Sequence, residues 1–382
     1  MKVIGIIGGG QLARMMYQAA IPLGLEISLL AEEADGSAAQ VVPNVATGDY
    51  TDRQTVVDFA STCDVITFDH EHVPTAILEE IYATGVHVFP PPSALVHAQD
   101  KLVMRRRLSD LGIPCPSWRE CETAADLIAF GDEIGWPIIA KVARGGYDGH
   151  GVWKLDGPEE VAVPFAHQAL SGDPTRVFAE EFIDLARELS VIVVRGQDGA
   201  ARTYPISETV QDNGMCVETV TPCPDLSVEQ AEQVNRFAVH LAAELGVVGL
   251  LAIELMQRSD GEIVVNELAM RPHNTGHWTI DGAVTSQFEN HLRAVAGLPL
   301  GDTSARNPWV VMKNVIGTDQ TEFAAGLIHA LAADPAAKVH WYGKGVRAGR
   351  KLGHVTTFGD ELESTRSRAN RCAAELMGAE ND

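Results

Sequence analysis

Three groups of residues in the middle of the chain have the types and spacing that a nucleotide site needs. Lys141 stands inside the apolar run "PIIAKV", where a strand can aim an ammonium at an anion. A few residues on, "ARGGYDGHGVW" places Gly145, Gly146, Gly149 and Gly151 between two strand-like runs. A glycine-rich turn of that kind folds over phosphates with backbone N–H groups as donors. Further on, "LLAIELMQRSDGEIVVNELAMR" reads as a hairpin. Asp260-Gly261 favours a two-residue turn. That turn pairs Ser259 with Glu262 and carries the register to Glu254 opposite Glu267, with Ala252, Met256, Val265 and Ala269 on the same face. Opposed residues lie about 5 Å apart, and two like charges there are unfavourable without a cation between them. Oxygen ligands at that spacing suit Mg²⁺, which also bridges nucleotide phosphates. A solvated hairpin is the competing reading, and the flanking "LLAI" and "IVV" runs argue for burial. Together the three groups describe an ATP·Mg²⁺ site, with no Walker sequence and no kinase-type catalytic loop.

The opening "MKVIGIIGGGQLARM" offers a rival. Gly8-Gly9-Gly10-Gln11-Leu12-Ala13 fits G-x-G-x-x-A after an apolar run, and Glu32 and Glu33 follow at the distance of a ribose-binding acid. An NAD-dependent oxidoreductase would use this fingerprint and leave Lys141, the glycine turn and the glutamate pair idle. Glycine allows a tight strand-to-helix turn and close approach of a phosphate, so the motif alone does not specify a dinucleotide.

The elements that must position these residues follow from patterning. The first ~95 residues alternate apolar runs with helical patterns, a βαβ series that makes a small parallel sheet. "PPPSALVHAQDK" breaks the series and marks the first boundary. The middle runs "WPIIAKVA", "GVWKLD", "VFAEEFI", "ELSVIVVRG" and "RTYPISET" read as antiparallel strands. A long helix, "VEQAEQVNRFAVHLAAELG", precedes the glutamate hairpin, and a third region begins near Ala296. The fold class is therefore α/β with α+β, and the domains are 1–98, 99–295 (with a smaller lobe at about 115–182) and 296–382. The 382 residues carry a net charge of −23, which disfavours nucleic acid and anionic membranes as partners. Six cysteines without C-x-x-C spacing, no charged leader and no apolar stretch near ~18 residues predict a cytoplasmic protein with reduced thiols.

"NELAMRPHNTGHWT", "GGYDGHG", "GGGQLARM", "SQFENHLRAVAGLPLG" and "GKGVRAGRKLGH" resemble the ATP-grasp superfamily and, within it, the N5-carboxyaminoimidazole ribonucleotide synthetases of purine biosynthesis. The resemblance runs from Gly5 to about His354. It implies a pre-ATP-grasp Rossmann-like domain, a two-lobed ATP-grasp domain and a small C-terminal domain. It implies a carbon–nitrogen ligase that carboxylates 5-aminoimidazole ribonucleotide with bicarbonate and ATP through carboxyphosphate, and a homodimer.

By the same resemblance, Lys101 and Lys141 contact ATP phosphates under the loop Gly146, Tyr147, Asp148, Gly149, His150 and Gly151. Glu180, Glu181, Phe182 and Ile183 form the adenine hinge, and Glu188 takes the ribose hydroxyls. Glu254 and Glu267 ligate Mg²⁺ beside Asn266. Gln11, Leu12, Tyr147, Asp148, Arg271, His273, Asn274, Lys344 and Arg350 line the substrate side, with Arg271, His273 and Lys141 as the catalytic set. His273 reads either as a general base or as a positioning donor. The chain departs from the pattern at His150 (often Arg or Lys), at Lys101 (commonly Arg) and at Pro272, which follows Arg271 where the family more often places the proline first. A formate-dependent glycinamide ribonucleotide transformylase would carry Glu-Leu where this chain has Gln11-Leu12, and His-Asp-Thr-Gly where it has His273-Asn274-Thr275-Gly276. A non-catalytic nucleotide sensor is the third reading.

Overall fold

The computed structural model describes residues 2–145, 151–165, 176–212 and 214–378. Its first sheet holds β1 (Val3–Ile7), β2 (Glu26–Ala31), β3 (Val45–Thr47), β4 (Val65–Phe68) and β5 (His87–Val88), all parallel in the order β3-β2-β1-β4-β5. Alternation along β1 serves two cores. Ile4 and Ile6 face the helices Gln11–Leu23 and Gln287–Ala296, while Ile7 faces the helices Arg53–Ala60 and Thr75–Ala83. A helix from the middle of the chain thus closes one side of the N-terminal sheet. The "PPPSALVHAQ" stretch follows the last strand of this sheet, and within it Pro91 and Pro92 start a helix, Pro92–Gln99. A fixed φ and a missing N–H suit a first helical turn.

The small lobe is a four-stranded antiparallel sheet of β6 (Trp118–Cys121), β7 (Ile138–Val142), β8 (Val152–Leu155) and β9 (Val177–Glu181), ordered β6-β9-β7-β8. The helix Ala124–Ile134 covers it through Leu127 and Phe130.

The large sheet has nine strands: β10 (Leu185–Arg195), β11 (Ala201–Thr203), β12 (Ser207–Asp212), β13 (Met215–Thr221), β14 (Gly249–Arg258), β15 (Ile263–Ala269), β16 (Trp309–Ile316), β17 (Lys338–Trp341) and β18 (Lys351–Gly359). Their order is β15-β14-β10-β12-β13-β16-β18-β17, with β11 on β10. The chain after Ala296 therefore extends this sheet through the antiparallel β13–β16 pairing instead of building a sheet of its own. The core is likewise continuous, because Ile7 and Phe68 of the first sheet belong to one buried cluster with Val191, Ile253 and Val265 of the large one.

Candidate active site

A cleft of about 630 Å³ lies between the small lobe and the large sheet, lined by Lys101, Lys141, Glu188, Glu254, Asn266, Glu267, Arg271, His273, Asn274 and Lys351, among others. Each side chain arrives on an element the sequence fixes. Asp100 caps the helix Lys101–Asp110, its carboxylate accepting from the N–H groups of Leu102 and Val103, and it also pairs with Arg144 and Arg176. The Lys101 N–H donates to the Ala143 carbonyl at 2.8 Å, so the start of the helix is tied to the chain leaving β7. Lys141 projects from β7, with its Nζ 2.6 Å from Glu180 Oε2 and 3.4 Å from Asn266 Oδ1.

Glu254 does oppose Glu267. The route to that register differs from the expected one. Arg258 N donates to Glu262 O and Gly261 N to Arg258 O, which leaves Ser259, Asp260 and Gly261 in the loop. Gly261 takes φ +94°, a conformation glycine favours. The longer loop shifts the pairing by one residue, so that Leu255 opposes Val265. A bulge at Asn266 then shifts it back before Glu254. Val265 consequently joins the apolar core with Leu255 instead of sharing the glutamate face. The bulge places Asn266 and Glu267 together on the cleft lining, as bulges beside functional sites commonly do.

The electrostatics of the cleft are dominated by crowded carboxylates. Burial, then the Glu267 and Glu188 carboxylates, push Glu254 well above the usual carboxylate range. Burial also raises Glu188. Lys101 Nζ lies 2.5 Å from Glu267 Oε1. Two carboxylates and an amide oxygen make an all-oxygen donor set, which fits a hard divalent ion. Among the described residues no group of three or more His, Cys, Asp or Glu is disposed to hold a metal ion. An ion here would draw its remaining ligands from phosphates and water, the usual habit of Mg²⁺.

Other expected residues are placed differently. Glu180 does not offer its carboxylate to a base. It is 2% exposed and bonds Arg105 through Oε1 and Lys141 through Oε2. Burial alone would raise it, but the two cations hold it at about 2. Glu181 accepts from Ser117 N and pairs with Arg258. Phe182 is exposed under the Lys154 ammonium, 5.4 Å from its ring centroid, and Ile183 is buried. Leu12 packs in the core and cannot present its side chain to a ligand, whereas Gln11 Oε1 accepts from Lys344 Nζ at 2.5 Å. His354 is buried against the Tyr342 hydroxyl, and burial drives its pKa well down. Lys344 itself is lowered to about 8 by burial and by Arg350. Gly146, Tyr147, Asp148, Gly149 and His150 lie outside the described residues.

The glycine turn at the start of the chain is filled by the protein itself. Asp69 Oδ2 accepts from Gly10 N and Oδ1 from Ala13 N at 3.2 Å, and Glu32 Oε2 accepts from Gly9 N at 3.3 Å. The helix N-terminus that a pyrophosphate would need is occupied by a buried carboxylate, and the ribose-binding acid is used locally. The dinucleotide reading fails on this geometry.

Sequence reasoning missed two partners. Glu71 accepts from Arg271 Nε at 2.7 Å and from Met270 N at 3.2 Å. Its signal was the dense "DHEH" following β4. Arg105 is 1% exposed. Its signal was the i, i+3 spacing of Leu102, Arg105 and Leu108 on one helix face.

A lobed cleft of this kind, with one lysine from a small antiparallel sheet, another from a helix start and opposed glutamates from a large sheet, is that of an ATP-grasp ligase. Residues 106–288 match the ATP-grasp domain, 1–99 the ribonucleotide synthetase preATP-grasp domain and 310–368 the phosphoribosylaminoimidazole carboxylase C-terminal domain. The chain belongs to the N5-carboxyaminoimidazole ribonucleotide synthase family. It is 48% identical over 374 residues to the synthase of Mycobacterium tuberculosis, covering 97% of this chain and 87% of the relative. To that of Corynebacterium ammoniagenes it is 45% identical over 385 residues, covering 99% and 93%. The Thermus thermophilus synthetase structure superposes with a TM-score of 0.87 at 35% identity, covering 99% of both chains. The Aspergillus clavatus enzyme in complex with ADP and 5-aminoimidazole ribonucleotide gives 0.88 at 30%, covering 98% of both.

Proposed function

We propose that the chain carboxylates the exocyclic amine of 5-aminoimidazole ribonucleotide, using ATP and bicarbonate, to give N5-carboxyaminoimidazole ribonucleotide, ADP and phosphate in purine biosynthesis. The observation that carries this reading is one cleft whose lining brings Lys101, Lys141, Glu254, Asn266 and Glu267 together with Arg271, His273 and Asn274. A bicarbonate oxygen attacks the γ-phosphorus and ADP leaves, giving carboxyphosphate. The amine attacks the carboxyl carbon, phosphate leaves, and the amine gives up a proton.

Lys101 and Lys141 would hold the phosphates, and Glu254, Glu267 and Asn266 would hold Mg²⁺. When bound, that ion neutralises charge on the phosphoryl oxygens. Arg271, oriented by Glu71, presents its remaining guanidinium N–H groups to the anion that forms. His273 is largely buried, its pKa lowered to about 3 by burial and by Arg271, and it serves as a positioning donor. Gln11, Lys344 and Arg350 receive the ribonucleotide phosphate. No helix among the described residues is long and apolar enough to cross a membrane, and we place the enzyme in the cytoplasm as a homodimer. The test is phosphate release by the purified chain with ATP, Mg²⁺ and bicarbonate, with and without aminoimidazole ribonucleotide. Release that does not depend on the amine substrate would sink the reading.

A further inference from the structure

Three arginines follow Lys101 on its helix. Arg106 and Arg107 are surface residues paired with Glu120 and Glu244. Arg105 is turned inward and is 1% exposed, one helical turn beyond Lys101. Its guanidinium makes three bonds to two different parts of the site. Nε donates to Glu180 Oε1 at 2.5 Å, Nη1 to Val265 O at 3.2 Å and Nη2 to Asn266 O at 2.8 Å.

The two carbonyls belong to the bulge. Asn266 is passed over by the β14–β15 register, so its buried carbonyl needs a donor from elsewhere, and an unmet one is costly. A planar fork can reach two adjacent carbonyls where a point charge cannot. The third bond ends on the carboxylate that also holds Lys141 at 2.6 Å. Two cations share one anion there. The trio keeps one positive charge in excess, and Lys141 is not cancelled by its anchor.

We propose that Arg105 is a positioning residue that sets Lys141 of the small lobe and the Asn266–Glu267 bulge of the large sheet at a fixed spacing, so that one nucleotide meets the phosphate lysine and the metal carboxylates together. This rests on the ATP-grasp reading of the cleft. It goes beyond that reading because Arg105 is buried behind the cleft and is not part of its lining.

The two arms are separable. Arg105→Lys keeps a buried cation on Glu180 but cannot span both carbonyls. Arg105→Met removes both arms. ADP is titrated calorimetrically into the full-length chain, first in chelator and then in saturating Mg²⁺. The chelator value reads the Lys141 arm, and the gain on adding Mg²⁺ reads the bulge arm. For Arg105→Lys the expected chelator affinity is within about threefold of the parent, with the Mg²⁺ gain cut at least about fivefold. For Arg105→Met both fall, the chelator affinity by about tenfold or more. If the methionine variant does not fold, the lysine variant decides. An Arg105→Lys protein with an unchanged Mg²⁺ gain, or with chelator affinity lost in the same proportion as the gain, overturns the proposal, and a lower melting temperature with both values intact does the same. The titration needs neither bicarbonate nor the amine, so a chain that shows the split but makes no carboxylated product would refute the proposed function and leave the Arg105 assignment standing.

Discussion

His273 Nε2 lies 3.4 Å from Glu254 Oε1, and its Nδ1 lies 2.9 Å from the Thr275 hydroxyl, which meets Ser190 Oγ at 2.7 Å. The ring is also framed by Gln287, whose side chain accepts from His273 N and donates to His273 O. A ring held in this way is placed to steer the Glu254 carboxylate, and burial lowers its pKa. Removing partners that orient ligands typically costs about 10–100-fold in metal affinity. His273→Ala is therefore expected to raise the half-saturating Mg²⁺ concentration about tenfold, with the Michaelis constant for aminoimidazole ribonucleotide within about twofold. A fall in kcat with an unchanged Mg²⁺ requirement would instead make the ring a base.

Glu267→Gln is expected to reduce turnover by orders of magnitude. Its effect on the metal-free fold is small because two changes oppose each other. The like-charge pressure on Glu254 is relieved, and the ion pair with Lys101 is lost. The Glu267 side chain is 42% exposed, so the pair is worth roughly 0–1 kcal/mol. Thermal unfolding in chelator beside a turnover assay checks both statements. A clear loss of apo stability would mark Glu267 as a structural charge.

At Gly10 an added Cβ would sit 2.3 Å from Asp69 Oδ2. Gly10→Ala is expected to lose about 1–3 kcal/mol through this overlap, read by denaturant unfolding. The parent protein should show no heat on titration with NAD, since Asp69 occupies the place of its pyrophosphate. Micromolar NAD affinity would contradict the geometry.

Arg350→Ala is expected to raise the Michaelis constant for aminoimidazole ribonucleotide about tenfold or more and to leave that for ATP nearly unchanged. Lys344 adds a pH dependence. Its pKa falls from 10.5 to about 8, so its charge is lost as pH rises through about 8, and affinity for the substrate phosphate weakens in that range. Stability moves the other way. Between about 8 and 10.5 the unfolded chain holds a proton that the folded one has released, so this group makes the fold more stable as pH rises. Initial rates and melting temperatures from pH 7 to 10 should diverge accordingly, and a Lys344→Met variant should lose both trends.

The site was partly legible because strands and hairpins carry their own phase. Lys141 in an apolar run and the Glu254–Glu267 pair could be read from spacing. The pair came out correctly although the loop is one residue longer than its Asp-Gly signature suggests, because the bulge at Asn266 restores the register. Nothing in the residues announces that bulge, since Asn at a bulge and Asn in a ladder look alike in one dimension. Glu180 was only partly legible for a related reason. "FAEEFI" shows a carboxylate beside a hinge, but not that two cations from separate elements converge on it. The glycine motif misled because a helix N-terminus accepts any anion, and the anion here is the Asp69 side chain just after β4, distant in sequence.

The β13–β16 ladder bears on how the molecule is made. Until β16 emerges during synthesis, β13 is an open edge, with its buried Thr219, Val220 and Thr221 beside unpaired backbone groups. Such an edge is a template for other chains. A nascent chain stopped before Trp309 would hold most of the nucleotide cleft and still be prone to cross-chain pairing, so the last fifth or so of the sequence acts as the guard that closes the sheet.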